Sequence, residues 1–253
     1  MSLPLAQMDW GLIWDIRGDL AKGLLTAVEV SAVALIISVG VGLLLALARL
    51  SKPPVSWLAA TYVNVFRGIP ALVSVIWVYY GWSLVFGINF TVFQAGVIAL
   101  TLLYGAFISE IYRAALQAIP KGQREAGAAL GMHPLRVFLQ IILPQATKIA
   151  IPNIGSMFIG MVKDTSVMTV IGLLEVTRVV QNVGSTTYQY FPLYTAAAGV
   201  YVIAAFAIDF VFRLIETSIT TPPAGRIAHL VSGRRKRRIE LVVKEVEALS
   251  GRT

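Results

Sequence analysis

The sequence predicts an all-α membrane protein of five spans, and three observations carry that prediction. Of 253 residues, 57% are hydrophobic and only 13% charged, with a mean hydropathy of +0.76; soluble domains carry about a quarter charged residues. Apolar runs recur at close to the roughly 20 residues that a helix needs to cross a hydrocarbon layer of about 30 Å. The basic residues are also segregated: with five spans, sixteen Lys and Arg fall on one side and three on the other. That bias places the N-terminus outside and the C-terminus in the cytoplasm. The net charge of +8 would suggest nucleic acid in a soluble protein, but in a chain this apolar it marks topology, and no nucleic-acid partner is expected. So hydrophobic a composition excludes disorder. The absence of cysteine excludes disulfides, thiolate metal sites and a Cys nucleophile. Two histidines, His133 and His229, are too few for a His-built metal cage; no metal and no cofactor are expected.

The elements follow in order. Residues 9–22 read as an interfacial helix that Asp9 can cap, with Trp10, Leu12, Ile13 and Trp14 on an apolar face, or as a plain connector. Residues 24–48 form the first span, with Glu29 its only charge and no role assigned to it. This run is too long for a cleaved signal peptide and lacks a short basic segment before it. The second span, 57–86, is interrupted at Arg67-Gly68-Ile69-Pro70, where a bend frees carbonyls for a guanidinium. Arg67 there either orders a path through the membrane or makes an inter-helix contact. The third span, 92–116, carries Glu110 and Arg113 near its end. The fourth, 149–162, is about 21 Å of helix at 1.5 Å per residue, too short to cross, so Lys163 and Asp164 are expected still at membrane depth. The fifth, 193–215, carries Asp209 and Arg213, spaced i,i+4 as a structural pair. No repeat of fixed period is present.

Between spans three and four lies the most informative stretch. Residues 123–130 are mostly good helix formers, Gly131 is placed to close the helix in the left-handed region, and Pro134 suits the first turn of a second helix. Leu135, Phe138, Ile142 and Leu143 fall near one face of that second helix, which Pro144 ends or kinks. Ala126, Gly127, Ala128 and Ala129 make the first helix thin enough for close approach by another protein, and Glu125 is expected in its first turn, where the dipole favours an anion.

These residues carry a resemblance. Glu125-Ala126-Gly127, Leu130-Gly131, Phe138, Ile141 and Leu143-Pro144 resemble the EAA loop of the membrane subunits of ABC importers, with Gly127 where the family pattern has Ala. Phe66-Arg67-Gly68-Ile69-Pro70, Glu110-Ile111-Tyr112-Arg113 with Ile119-Pro120-Lys121-Gly122-Gln123, and Lys163-Asp164-Thr165-Ser166 before Val170-Ile171-Gly172 narrow the likeness to the polar amino acid permeases, over roughly residues 20 to 216. The resemblance implies a type I importer permease of five spans with a cytoplasmic coupling helix. A second permease subunit, identical or a paralogue, would pair with it across a two-fold or pseudo-two-fold axis. An ABC ATPase subunit would dock on Arg124, Glu125, Ala126, Gly127, Ala128, Leu130 and Gly131, and an extracytoplasmic binding protein would deliver the amino acid. The chain has no G-x-x-x-x-G-K-[ST] phosphate loop, so it is not expected to be an enzyme: a partner must hydrolyse ATP. The location implied is a bacterial inner membrane.

Charges inside a bilayer are costly unless paired or in a wet cavity, which makes them candidates for function. Asp164 is expected to accept hydrogen bonds from a substrate α-ammonium, with Thr165, Ser166 and freed backbone N–H groups facing the carboxylate. In the alternative, Lys163 and Asp164 satisfy each other or a neighbouring helix. Residues 167–174 are apolar enough to re-enter as a short gate helix. Glu110 serves either a cationic substrate side chain or Arg113 at i+3, and Arg67 completes the candidate set. The resulting division is an extracytoplasmic segment 1–23, a permease domain 24–216 with its EAA loop at about 117–146, and a basic cytoplasmic tail 217–253. In the tail, Arg234, Arg235, Lys236, Arg237 and Arg238 precede an apolar stripe suited to anionic membrane lipid or the ATPase, or form a solvated basic end. Two rival functions fit the same residues: an ion-coupled secondary transporter using Glu110, Asp164 and Asp209, and a non-transporting membrane scaffold.

Overall fold

A computed structural model describes residues 8–220, which are helical with no strand among them. The tail beyond residue 220, with its basic run, lies outside the described residues. Four helical stretches are long and apolar enough to cross a membrane, Arg17–Arg49, Val92–Ala118, Pro134–Ile171 and Tyr190–Ser218, and a bent pair, Val55–Gly68 with Ala71–Phe86, makes a fifth.

The N-terminal expectation needs correcting. A short α1 (Gly11–Asp15) is followed at once by α2 (Arg17–Arg49). The Asp9 carboxylate accepts the N–H of Gly11 at 2.9 Å, but no separate interfacial helix reaches residue 22, and α2 runs unbroken through residue 23. Its buried face is a stripe of small residues, including Gly23, Ala27, Ser31, Ala34, Ser38, Gly42 and Ala46. Lipid tails give apolar helices no hydrophobic reason to associate, so close packing has to hold them together. A Cβ on Gly42 would sit 2.7 Å from Ile108 Cγ2, and one on Gly23 would sit 2.8 Å from the Val176 nitrogen. Leu25, Ile36 and Leu44 point away from the bundle.

α3 (Val55–Gly68) must stop before Pro70, which holds Ile69 extended at φ −88°, ψ 129°. α4 (Ala71–Ile76) then leaves at 108° to it. A π turn (Trp77–Gly81) and α5 (Trp82–Phe86) complete this segment, which Gly87 closes at φ +68°. α6 (Val92–Ala118) is the central helix, started by a Thr91–Gln94 capping box and buried along most of its length.

α7 (Lys121–Ala129) and α8 (Pro134–Val137) form the loop after it. A π turn (Phe138–Ile142) joins α8 to α9 (Leu143–Asp164), which continues as a 3₁₀ turn, Thr165–Ile171. The short fourth span is therefore wrong. Pro144 falls in the first turn of α9, where its missing N–H costs nothing, so the helix does not end there. No gate helix re-enters over 167–174: the chain tightens into the 3₁₀ turn and ends at Gly172, φ +91°. The π turn also breaks the expected face of the second helix, leaving Val137 and Ile142 buried while Leu135 is exposed.

α10 (Val176–Thr187) is amphipathic and was not foreseen, and α11 (Tyr190–Thr220) is the last span. Leu20 of α2, Val176 and Val180 of α10, and Leu193 and Ala197 of α11 share one buried cluster.

Candidate functional site

The loop helix α7 comes first. Pro120, extended at ψ 137°, starts α7 two residues earlier than its composition suggested, so Glu125 lies beyond the first turn and the dipole argument for it lapses. At the other end Gly131 adopts φ +70°. Its N–H donates to the Ala128 carbonyl at 2.9 Å, and the Met132 N–H donates to that of Gly127 at 3.0 Å, the paired bonds of a Schellman closure. Gly127 is the only buried residue of α7. A Cβ there would meet Val137 Cγ2 at 2.7 Å, which explains the smaller residue where the EAA pattern has Ala. Arg124, Glu125, Ala126 and Ala128 are exposed, and Leu130 is 80% exposed. Beside α7 is a cavity of about 770 Å³ whose lining includes Ser51, Gln117, Lys121 and Arg124 over apolar walls.

The second feature is the acidic end of α9. The Tyr104 hydroxyl of α6 donates to Asp164 Oδ2 at 2.9 Å. Gly160 makes room for that phenol, since a Cβ there would lie 2.7 Å from Tyr104 Oη. Asp164, Tyr104, Phe107, Met157, Gly160 and Ile69 line a cavity of about 360 Å³. Of the residues expected around the acid, Thr165 is elsewhere: its hydroxyl is fully buried and donates to the Val162 carbonyl at 2.7 Å, so it cannot face a ligand. The N–H groups expected to be freed there are instead used in the 3₁₀ turn. Ser166 is half-buried. Lys163 lines a different groove, with Tyr201, Phe206 and Asp209 of α11, so adjacent opposite charges serve separate cavities.

Glu110 is not left for a cationic substrate group. Its Oε1 accepts from Arg49 and, at 3.2 Å, from Arg67; its Oε2 accepts from Arg113 Nε at 2.8 Å. Arg113 reaches on to Gln117 Oε1 at 2.9 Å. Arg67 thus makes an inter-helix ion pair rather than binding helix-end carbonyls, and its guanidinium also lies over the Phe107 ring, 5.5 Å from the centroid. Arg49 carried no signal in the sequence, standing 61 residues from its partner. Asp209 and Arg213 do pair, Nε to Oδ2 at 2.7 Å.

Glu175, also unforeseen, is fully buried. Its carboxylate caps α10 by accepting the N–H groups of Thr177 (2.7 Å) and Arg178 (2.8 Å), and it takes the Tyr201 hydroxyl at 2.6 Å. The signal available was an acid just before an amphipathic run. Among the described residues no three His, Asp or Glu side chains gather in a way that would hold a metal ion.

Residues 38–221 match the family described as the binding-protein-dependent transport system inner membrane component. The chain is 35% identical over 201 residues to the putative glutamine transport system permease protein GlnP of Rickettsia bellii, covering 79% of this chain and 92% of that protein. It is 33% identical over 222 residues to the L-cystine transport system permease protein TcyB of Bacillus subtilis, covering 85% and 94%. A crystal structure of an amino acid ABC transporter with histidines superposes with a TM-score of 0.76 at 33% identity, over 86% of this chain and 100% of that one.

Proposed function

The chain belongs to the binding-protein-dependent transport system inner membrane component family and is the permease component of an amino acid ABC importer; on that premise we propose that it imports a polar amino acid, received from an extracytoplasmic binding protein, through motions driven at α7. It is not an enzyme, and ATP hydrolysis belongs to a separate subunit. The observation that carries the coupling reading is α7 itself, a nine-residue helix with Gly127 alone buried. A helix that buries almost nothing in its own subunit has its side chains free for another protein, and Leu130, 80% exposed, is an apolar side chain that burial against a partner would stabilise.

The ATPase grips Arg124, Glu125, Ala126, Ala128 and Leu130, while Gly127 and Gly131 keep the lever thin and closed. Nucleotide binding then opens the bundle toward the binding protein, and hydrolysis resets it. The excess of basic residues on the α7 side supports a cytoplasmic α7 with the N-terminus outside. Within the membrane Asp164, held by Tyr104, receives the α-ammonium, with Ser166 beside it. A second permease subunit completes the path. Relatives named for glutamine and cystine support a polar amino acid as the class of cargo.

The test is Leu130→Asp, a change on an exposed side chain. Uptake by the reconstituted complex should be lost together with co-purification of the ATPase. Uptake at the unmodified rate overturns the coupling role, and uptake driven by an ion gradient without ATP overturns the importer reading.

A further inference from the structure

We propose that Glu110 is a positioning residue for transport, the hub of an ion-pair latch that opens at Arg67 in each cycle and links the lever to the wall of the Asp164 cavity. The inference rests on the function proposed above. Three separate helices meet at this one carboxylate: Arg49 comes from the last turn of α2, Arg67 from the last turn of α3 just before the 108° bend, and Arg113 from α6 itself. From the hub, contacts run in both directions. Arg113 bonds Gln117, which lines the cavity beside α7 with Lys121 and Arg124. Arg67 covers Phe107, which lines the cavity of Asp164 with Ile69, the residue at the bend.

The cluster is asymmetric. Two carboxylate oxygens serve three guanidiniums, which leaves two formal positive charges in excess; Arg113 has Oε2 to itself, while Arg49 and Arg67 share Oε1 and compete for it. Arg49 is the most enclosed, with 16% of its side chain exposed; Arg67 has 42% exposed and the longest bond, 3.2 Å. The Arg67 contact is the longest and has the least of this subunit packed around it, whereas the more enclosed pairs are held by the cost of leaving a charge unpaired. Arg49, Glu110 and Arg113 therefore form the fixed part, and Arg67 is the arm that releases. Releasing it frees the bend between α3 and α4 and uncovers Phe107. A discrete contact with two arrangements is what carries a coupling between distant sites.

The experiment uses the full complex in proteoliposomes with its ATPase and binding protein, and compares Glu110→Gln, Glu110→Asp and Arg67→Gln. Uptake and ATP hydrolysis are measured with and without loaded binding protein. Glu110→Gln and Arg67→Gln should assemble yet lose at least tenfold in amino acid imported per ATP, because hydrolysis no longer waits for loaded binding protein. Glu110→Asp should recover part of that ratio. Ratios within twofold of the unmodified complex for both Gln variants overturn the latch. So does a Glu110→Gln variant that fails to assemble beside an Arg67→Gln variant that couples normally, since that marks a purely architectural cluster. If the unmodified complex shows no hydrolysis stimulated by binding protein, the functional reading fails first, and the latch with it.

Discussion

Gly40 and Gly42 stand two residues apart in α2, and replacing each with Ala should have opposite effects. At Gly42 the new Cβ would lie 2.7 Å from Ile108 Cγ2, 2.9 Å from Ile108 Cβ and 3.0 Å from the Ser109 nitrogen. Carbon atoms rest at about 3.5–4.0 Å, so α2 and α6 must part locally by about 0.8 Å, and the backbone atom among the neighbours prevents a side-chain rotation from relieving the clash. A radial gap of that size forfeits about a quarter to a half of each pairwise attraction along the seam, and overpacking of this kind costs about 1–3 kcal/mol. At Gly40 nothing lies within 4 Å of the added carbon, and Ala exceeds Gly in helix propensity by about 0.8–1.0 kcal/mol. The propensity gain is common to both variants, so thermal melts of the purified subunit in one detergent should put Gly42→Ala about 2–12 °C below Gly40→Ala, at about 2–4 °C per kcal/mol for a chain of this size, with Gly40→Ala level with the unmodified subunit or higher. Equal melting of the two variants would refute the packing account of the α2–α6 seam.

Other expectations concern the two ends of the bundle. Gly131→Ala forces a side chain into the left-handed region and should cost about 1–2 kcal/mol; amide exchange in α7 should quicken, while Gly131→Asn stays closer to the unmodified rate, and identical exchange in both variants counts against the closure described. Glu175→Ala removes the α10 cap, at about 0.5–2 kcal/mol, and takes away the shorter of two hydrogen bonds of the Tyr201 hydroxyl, leaving Thr177 Oγ1 at 3.3 Å as its partner. Faster exchange of the Thr177 and Arg178 amides is the expected readout, and unchanged protection there contradicts it. Asp164→Asn should abolish uptake in a complex that still assembles and hydrolyses ATP; normal uptake removes Asp164 from the cargo site.

What could be read from residues alone was what periodicity and local chemistry decide. The apolar runs marked the spans. Gly131 followed by Pro134 marked the close of one helix and the start of the next. Asp209 and Arg213, four apart on one helix, could be paired on spacing alone. The errors have physical causes too. Pro144 looked like a terminator, yet in a first turn it costs no bond, so the fourth helix extends well past the length its apolar run suggested. Thr165 beside Asp164 looked like a ligand, but the 3₁₀ turn swings its hydroxyl back onto Val162. The Glu110 cluster was visible only as the Arg113 spacing, because Arg49 and Arg67 reach it through tertiary packing that no local pattern encodes. Glu175 was missed because a buried carboxylate held by backbone amides leaves no charge partner in the sequence.

The closure of α7 has a mechanical consequence. Fixed by an extended proline at its start and by paired backbone bonds at its finish, this short rod resists fraying, so torque applied to it turns it as one piece instead of unwinding it. Nine residues at 1.5 Å each make an arm of about 13 Å.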